Sequence, residues 1–155
     1  MKPVLYHDID GVLFGDYAGE FQLRPAVKTW LNWAHEHFSV VWLTTWRPDE
    51  IKNLLNLLHC EKYIKSFNLE FRYANWYQSH SKEEWLSAHK DQLAEVEWFW
   101  IDDDVPSTER LHSLGLDPIR CISVSPKGQY GLQDVTLDLE GRLDHIGTGS
   151  LLKSA

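Results

Sequence analysis

Two aspartates one residue apart, Asp8 and Asp10, close the first apolar run of the chain, Val4-Leu5-Tyr6, and Gly11 follows at once. A short apolar run stopped by glycine reads as a buried strand. On a strand, side chains i and i+2 share a face, so both carboxylates are expected to project from its carboxyl end. Carboxylates that close repel unless a cation or a shared proton intervenes. Such a pair suits a divalent metal, with one acid free to attack and the other to shuttle protons. Asp-Gly is also ordinary turn chemistry, so the pair needs support from the rest of the chain.

That support lies in where other polar groups fall. Leu13 to Leu23 holds Gly15, Gly19 and several polar residues, and has loop or hairpin character. Arg24-Pro25 is expected to open a helix with Val27, Trp30, Leu31 and Ala34 on its buried face. Phe38 to Leu43 reads as a second buried strand ending at Thr44-Thr45, and Pro48-Asp49-Glu50 starts a helix carrying Ile51, Leu54, Leu55 and Leu58. Phe67, Leu69, Phe71 and Tyr73 alternate as in a strand. Ser81 and Glu84 have capping-box spacing for a helix running to about Leu93. Val96 to Ile101 is a further strand, and Asp102-Asp103-Asp104 follows it. A short helix from Pro106 to Leu114, closed by Gly115, leads to a strand over Ile119 to Val124. Leu132, Val135, Leu139, Leu143 and Ile146 then take helical spacing.

Strands alternating with helices imply an α/β, doubly wound, Rossmann-like parallel sheet with helices on both faces. Such sheets place their sites beyond the carboxyl ends of the strands. Asp8/Asp10, Thr44/Thr45 and Asp102/Asp103 all fall at such ends, so three polar clusters from distant sequence should meet in one crevice.

Composition limits the partners. The 155 residues suit one domain, 1–155, with a core that needs no disulfide or metal staple. Fifteen basic residues against 23 acidic ones leave a formal charge of −8, which opposes extended duplex binding by phosphate neutralisation. A cation bound among Asp8, Asp10, Asp102, Asp103 and Asp104 would reverse the local field. No apolar stretch approaches the ~18 residues that span a bilayer, and no signal-peptide region leads the chain, so a cytoplasmic location is expected. Cys60 and Cys121 form no framework and are expected to be reduced thiols.

Taken in order, Asp8-x-Asp10-Gly-Val, Thr44, Lys82 and Asp102-Asp103 resemble the four motifs of the haloacid dehalogenase (HAD) superfamily of phosphatases, from Val4 to Val124. Val41-Trp-Leu-Thr-Thr-Trp46, Trp100-Ile-Asp-Asp-Asp104 and the Gly131-Leu132 that opens the last helix look most like the branch named for HAD domains in Swiss Army Knife RNA repair proteins. The resemblance implies a nucleophilic Asp8 that forms an aspartyl-phosphate, and an Asp10 that protonates the leaving oxygen and then activates water. An aspartate two residues after the nucleophile separates phosphatase-type members from dehalogenases and transport ATPases. Thr44 would hydrogen-bond a phosphoryl oxygen, with Thr45 as the alternative register. Lys82, twenty residues before Asp102, would set its charge against the phosphoryl group, with Lys90 as the alternative. Mg²⁺ would be held by Asp8, the Asp10 carbonyl, Asp103 and waters, supported by Asp102. Asp104 reads as a loop or cap residue.

The family's cap modules insert between the first and second motifs or between the second and third, and both intervals are short here. A capless, open site is expected, with only the Leu13 to Leu23 excursion overhanging it. Such a site suits a bulky phosphate ester, including a nucleic-acid end or nucleotide, with Arg47 reaching a phosphate and Trp46 or Trp76-Tyr77 stacking on a base. A phosphatase of small metabolites and a catalytically silent HAD-fold partner protein are the alternatives. A response-regulator receiver also combines acids, Thr, Lys and Mg²⁺, but its acidic pair precedes its threonine and lysine. The order here, with the 102–104 cluster last, rejects it.

Overall fold

A computed structural model describes residues 2–17, 19–59, 72–93, 95–127 and 131–154, with the backbone course alone for residue 17 and residues 146–154. Its centre is a parallel sheet. Strand β1 (Val4–His7) lies between β4 (Ser39–Trp42) and β6 (Trp98–Asp102), with β5 (Arg72–Tyr73) and β7 (Cys121–Ser123) outside them, in the order β5-β4-β1-β6-β7. All four pairings are parallel. The chain leaves β1 towards β4 and later crosses back to β6 on the other side, so the switch point of the sheet lies beside β1.

Alternation along the strands builds two cores. Leu5, Val40, Trp42, Phe99, Ile101 and Ile122 face one side, where they meet α1 (Val27–His37), α2 (Pro48–Leu57) and the start of α6 (Leu132–Ser154). Tyr6, Leu43, Trp98, Trp100 and Cys121 face the other, against α3 (Lys82–Ala88), α4 (Lys90–Leu93) and α5 (Thr108–Ser113). Helices cover both faces, as the strand–helix alternation implies. The tryptophans that lie in strands and amphipathic helices fill these cores: Trp30 and Trp42 are buried in the first, with Trp33 packed partly buried against it, and Trp98 and Trp100 are buried in the second.

Several boundaries differ from the sequence reading, for local reasons. Pro25 lies outside α1, because Ala26 at its N-cap takes a left-handed conformation (φ 62°) and helix begins only at Val27. The helix expected from Ser81 to Leu93 breaks at His89 into α3 and α4. Its start is as expected, with the Ser81 hydroxyl accepting from the Glu84 amide at 3.2 Å. The strand expected from Ile119 starts at Cys121, because Pro118–Arg120 forms a 3₁₀ turn capped by Asp117. Leu13 to Leu23 holds an antiparallel hairpin, β2 (Phe14–Tyr17) with β3 (Glu20–Leu23). Phe67, Leu69 and Phe71 of the expected strand, and Cys60, lie outside the described residues. Cys121 is buried and unbridged, and burial pushes its thiol up to about 12, so it is an inert core group. Among the described residues no cap domain interrupts the sheet, and no helix is long and apolar enough to cross a membrane.

His35 is a buried titratable group away from the strand ends. Its Nδ1–H donates to the Leu31 carbonyl at 2.7 Å, and burial lowers its pKa below the ordinary histidine value. The folded chain therefore resists a proton that the unfolded chain accepts below about pH 6.5. Where the unfolded state binds more protons, stability rises with pH, so folding loses free energy as pH falls through that value. Urea unfolding midpoints at about pH 7.5 and about pH 5.5, on either side of it, should differ less for His35→Leu than for the wild type. An unchanged difference would show that His35 carries no part of the acid sensitivity.

Candidate active site

The register of the central strands sets the site. His7 pairs with Ile101, so the next residue of each strand, Asp8 and Asp102, stand side by side at the carboxyl ends. The Asp8 amide donates to the Ile101 carbonyl at 3.1 Å, and the Leu43 amide donates to the His7 carbonyl at 2.9 Å, bringing the end of β4 alongside. Both aspartates are buried. Lys82, in the first turn of α3, reaches over this edge and places Nζ 3.1 Å from Asp8 Oδ1 and 2.7 Å from Asp102 Oδ2. Nζ also lies 5.8 Å from the centre of the Trp76 ring. Lys90, the alternative cation, is directed elsewhere, its Nζ 2.9 Å from where a Cβ on Gly115 would lie.

The expectation that Asp8 and Asp10 project from one strand face is corrected by the backbone. β1 ends at His7, and the amides of Val12 and Leu13 both turn back to the Ile9 carbonyl, at 3.1 and 2.8 Å. Asp8 therefore points into the buried cluster, while Asp10 is exposed and accepts from the Trp46 indole at 3.1 Å. The repulsion foreseen between Asp8 and Asp10 arises instead between Asp8 and Asp102.

Asp8, Asp102 and Asp103 each offer a carboxylate oxygen, all within 4.8 Å of one another. Two unit charges at about 4 Å interact by roughly 4 kcal/mol at an effective dielectric constant of 20, so one ammonium cannot neutralise three acids this close. Burial, and then the charge of Asp102, push Asp8 up to about 7 against the pull of Lys82. Burial and a hydrogen bond with Asp102 also raise Asp103. Lys82 pays for burial, but the two carboxylates outweigh that and hold its pKa above the ordinary lysine value. Asp102 is engaged at both oxygens, Oδ2 by Lys82 and Oδ1 by the Asp104 amide at 2.9 Å, so it anchors the lysine. Asp103 packs into a notch at Gly11, whose φ is +78° and where a Cβ would lie 2.2 Å from Asp103 Oδ2. Three hard oxygen donors with unbalanced negative charge fit a divalent cation of the Mg²⁺ kind.

A cavity of about 710 Å³ opens over these groups, lined by Asp8, Asp10, Thr45, Lys82, Trp100 and Asp103, among others. The indole N–H of Trp100 is buried there with no partner among the described residues. The two threonines divide. Thr45 is exposed on the cavity wall, whereas Thr44 is fully buried and its hydroxyl accepts the Trp46 amide at 3.3 Å. Arg47 lies outside the lining, with its guanidinium on Glu50 at 3.3 Å and Asp49 at 3.7 Å.

Two supports had no signal in the sequence. Trp30 Nε1 donates to His7 Nε2 at 2.8 Å, and an indole nitrogen can only donate, so His7 Nδ1 carries the proton given to the Asp8 carbonyl. Burial lowers His7 to about 4, which keeps this tautomer neutral. Arg24, also buried, donates to the carbonyls of Gly11, at 2.8 Å, and Ser125, tying the Asp10–Gly11 turn to the exit of β7. A lone histidine in a strand and an arginine before proline carry no motif, so only the fold reveals what they hold.

Compared with curated proteins, the chain matches none. Compared with known families, residues 4–137, from β1 into α6, match the HAD domain in Swiss Army Knife RNA repair proteins. The match takes in every strand and every acid of the site, and the chain therefore belongs to that family of the haloacid dehalogenase superfamily.

Proposed function

We propose that residues 1–155 act as one Mg²⁺-dependent phosphomonoester hydrolase domain, working through an aspartyl-phosphate on Asp8. The observation that carries this reading is Lys82 held between Asp8 and Asp102 at adjacent strand ends, with Asp103 beside them. Asp8 attacks phosphorus as nucleophile. Lys82 stabilises its carboxylate and faces the phosphoryl oxygens. Asp10, at the mouth of the same cavity, gives a proton to the leaving oxygen and takes one from the water that hydrolyses the intermediate. Asp8, Asp103 and the Asp10 carbonyl would hold Mg²⁺, with Asp102 behind them. When bound, the ion supplies positive charge against the phosphoryl oxygens and the clustered acids. Thr45, exposed on the wall, would offer its hydroxyl to a phosphoryl oxygen in place of the buried Thr44.

The substrate we favour is a terminal phosphate on a nucleic acid or nucleotide. The family is named for RNA repair proteins, and aromatic side chains flank the acids on both sides. Trp76 and Tyr77 stack at 6.0 Å on one side, with Tyr77 exposed, and Phe14 stacks on Trp46 at 5.6 Å on the other. Base–aromatic stacking tolerates any base. With a charge of −8, contact confined to a strand end is favoured over a long phosphate track.

Asp8→Asn should abolish turnover of p-nitrophenyl phosphate while leaving a folded protein, and chelation should abolish it in the wild type. Wild-type turnover by folded Asp8→Asn would overturn the mechanism. A second measurement reads the metal without activity. Mg²⁺ at a hundred times its Kd should stabilise the fold by about 2.7 kcal/mol, a rise in Tm of roughly 5–10 °C at this chain length. Asp103→Asn and Gly11→Ala should both shrink that rise, the first by removing a ligand and the second by displacing it. A full rise in both would discard Asp103 as a ligand. For substrate, a 3′-phosphorylated oligonucleotide competes against a panel of small phosphates. If metabolites win in kcat/KM by about tenfold, ~1.4 kcal/mol of discrimination, the nucleic-acid reading falls and a metabolite phosphatase replaces it.

A further inference from the structure

Asp10 lines the cavity but stands outside the buried cluster, and an exposed aspartate ordinarily samples several rotamers. Here the Trp46 indole N–H meets its Oδ1 at 3.1 Å, a length typical of a full hydrogen bond. The indole is held from two directions. Its ring stacks on Phe14 (5.6 Å between centroids, 30° between planes), and Phe14 stacks in turn on Phe21 of β3 at 5.8 Å. Its backbone amide donates to the hydroxyl of Thr44, which is fully buried at the end of β4. A rigid donor is thus aimed at one oxygen of a mobile acid.

We propose that Trp46 is a positioning residue for Asp10, fixing which carboxyl oxygen carries the proton exchanged with substrate. The inference rests on the reading of Asp10 as acid and base given above, and adds how that acid is aimed. An indole nitrogen donates and never accepts. While Trp46 occupies Oδ1, that oxygen acts as acceptor, and a proton on Asp10 sits on Oδ2. In the first step an Asp8 oxygen bonds to phosphorus, the ester P–O bond breaks, and the Oδ2 proton passes to the departing oxygen to give the alcohol. In the second, water oxygen bonds to phosphorus, its proton returns to Oδ2, and the Asp8–phosphorus bond breaks to release inorganic phosphate. The same edge of Asp10 serves both steps, and the carboxylate need not turn between them. Thr44 thereby gains a role without touching substrate: it holds the backbone of the residue that holds the acid.

The test compares two leaving groups. An alkoxide cannot depart without a proton, whereas p-nitrophenolate can, so in kcat/KM, which reads the steps up to departure of the leaving group, only the first depends on the aim of Asp10. General acid catalysis is worth typically ~10²–10⁴-fold. Losing its alignment should lower kcat/KM on an alkyl phosphate by about tenfold or more relative to kcat/KM on p-nitrophenyl phosphate. The alkyl probe is a nucleoside 3′-phosphate or glycerol phosphate, whichever the wild type turns over faster. Trp46→Phe keeps the ring on Phe14 and removes the N–H; Trp46→Leu removes both, and the ratio is read on each variant that folds. Both substrates are processed by the same folded molecules, so partial unfolding leaves the ratio unchanged. Equal losses of kcat/KM on the two substrates, or none on either, would overturn the proposal and leave Trp46 as packing. Activity retained by Asp8→Asn would instead strike the underlying mechanism, so the two failures are distinguishable.

Discussion

The ammonium of Lys82, wedged between the carboxylates of Asp8 and Asp102, is the interaction on which the rest of the molecule depends. Register alone sets the two acids side by side, because His7 faces Ile101 across the parallel pair and the strands end together. Without the lysine, two buried charges would face each other with no partner, and removing one member of a buried ion pair typically costs about 3–5 kcal/mol. The lysine in turn needs α3 to begin where it does. The Ser81 cap sets that start, and Leu86 on the same helix is fully buried against Trp100 and its neighbours. Sheet register, helix cap and core packing therefore meet at one nitrogen atom.

That balance is incomplete, and the proposed function draws on the incompleteness. Asp103 joins the cluster through the space that Gly11 leaves, so three acids share one ammonium. A sequence selected for stability alone has a simple remedy in replacing one acid with an amide. Keeping all three retains a negative hollow at the carboxyl ends of the strands, where a divalent ion and a phosphate ester can enter together. Burial, and then the charge of Asp102, raise Asp8 to about 7 in that hollow.

Features that follow from periodic burial or strand-end position were legible in the residues. The sheet and the helix faces came from apolar spacing, and the order of the family's motifs singled out Asp8, Lys82 and Asp102, which the structure brings together. What was not legible depended on backbone turns that no side-chain pattern records. Asp10 left the strand face because the chain wraps over the Ile9 carbonyl. Thr44 is buried and Thr45 exposed because the chain bends from Thr44 onwards, just past the end of β4. Arg47 was drawn to the acids in the first turn of its own helix, Asp49 and Glu50, and away from the cavity. Arg24, read only as a helix opener, clamps two loops whose carbonyls lie more than a hundred residues apart in sequence.

The hairpin shows how these pieces act as one. β2 and β3 are short and β3 is exposed along its length, so the pair has little core of its own. Two-stranded hairpins are marginal in isolation. This one is tied down from beneath, by the Asp16 amide donating to the Pro126 carbonyl at 2.8 Å and by Arg24 donating to the carbonyls of Gly11 and Ser125. Its Phe14 supports Trp46, and Trp46 meets Asp10. A capped hydrolase can close a domain over its substrate to align its acid; among the described residues this chain has only a hairpin in that place. Alignment must then be built in before substrate arrives. A stack of fixed rings behind a solvent-facing carboxylate does so while leaving the mouth of the cavity open to a bulky phosphate ester.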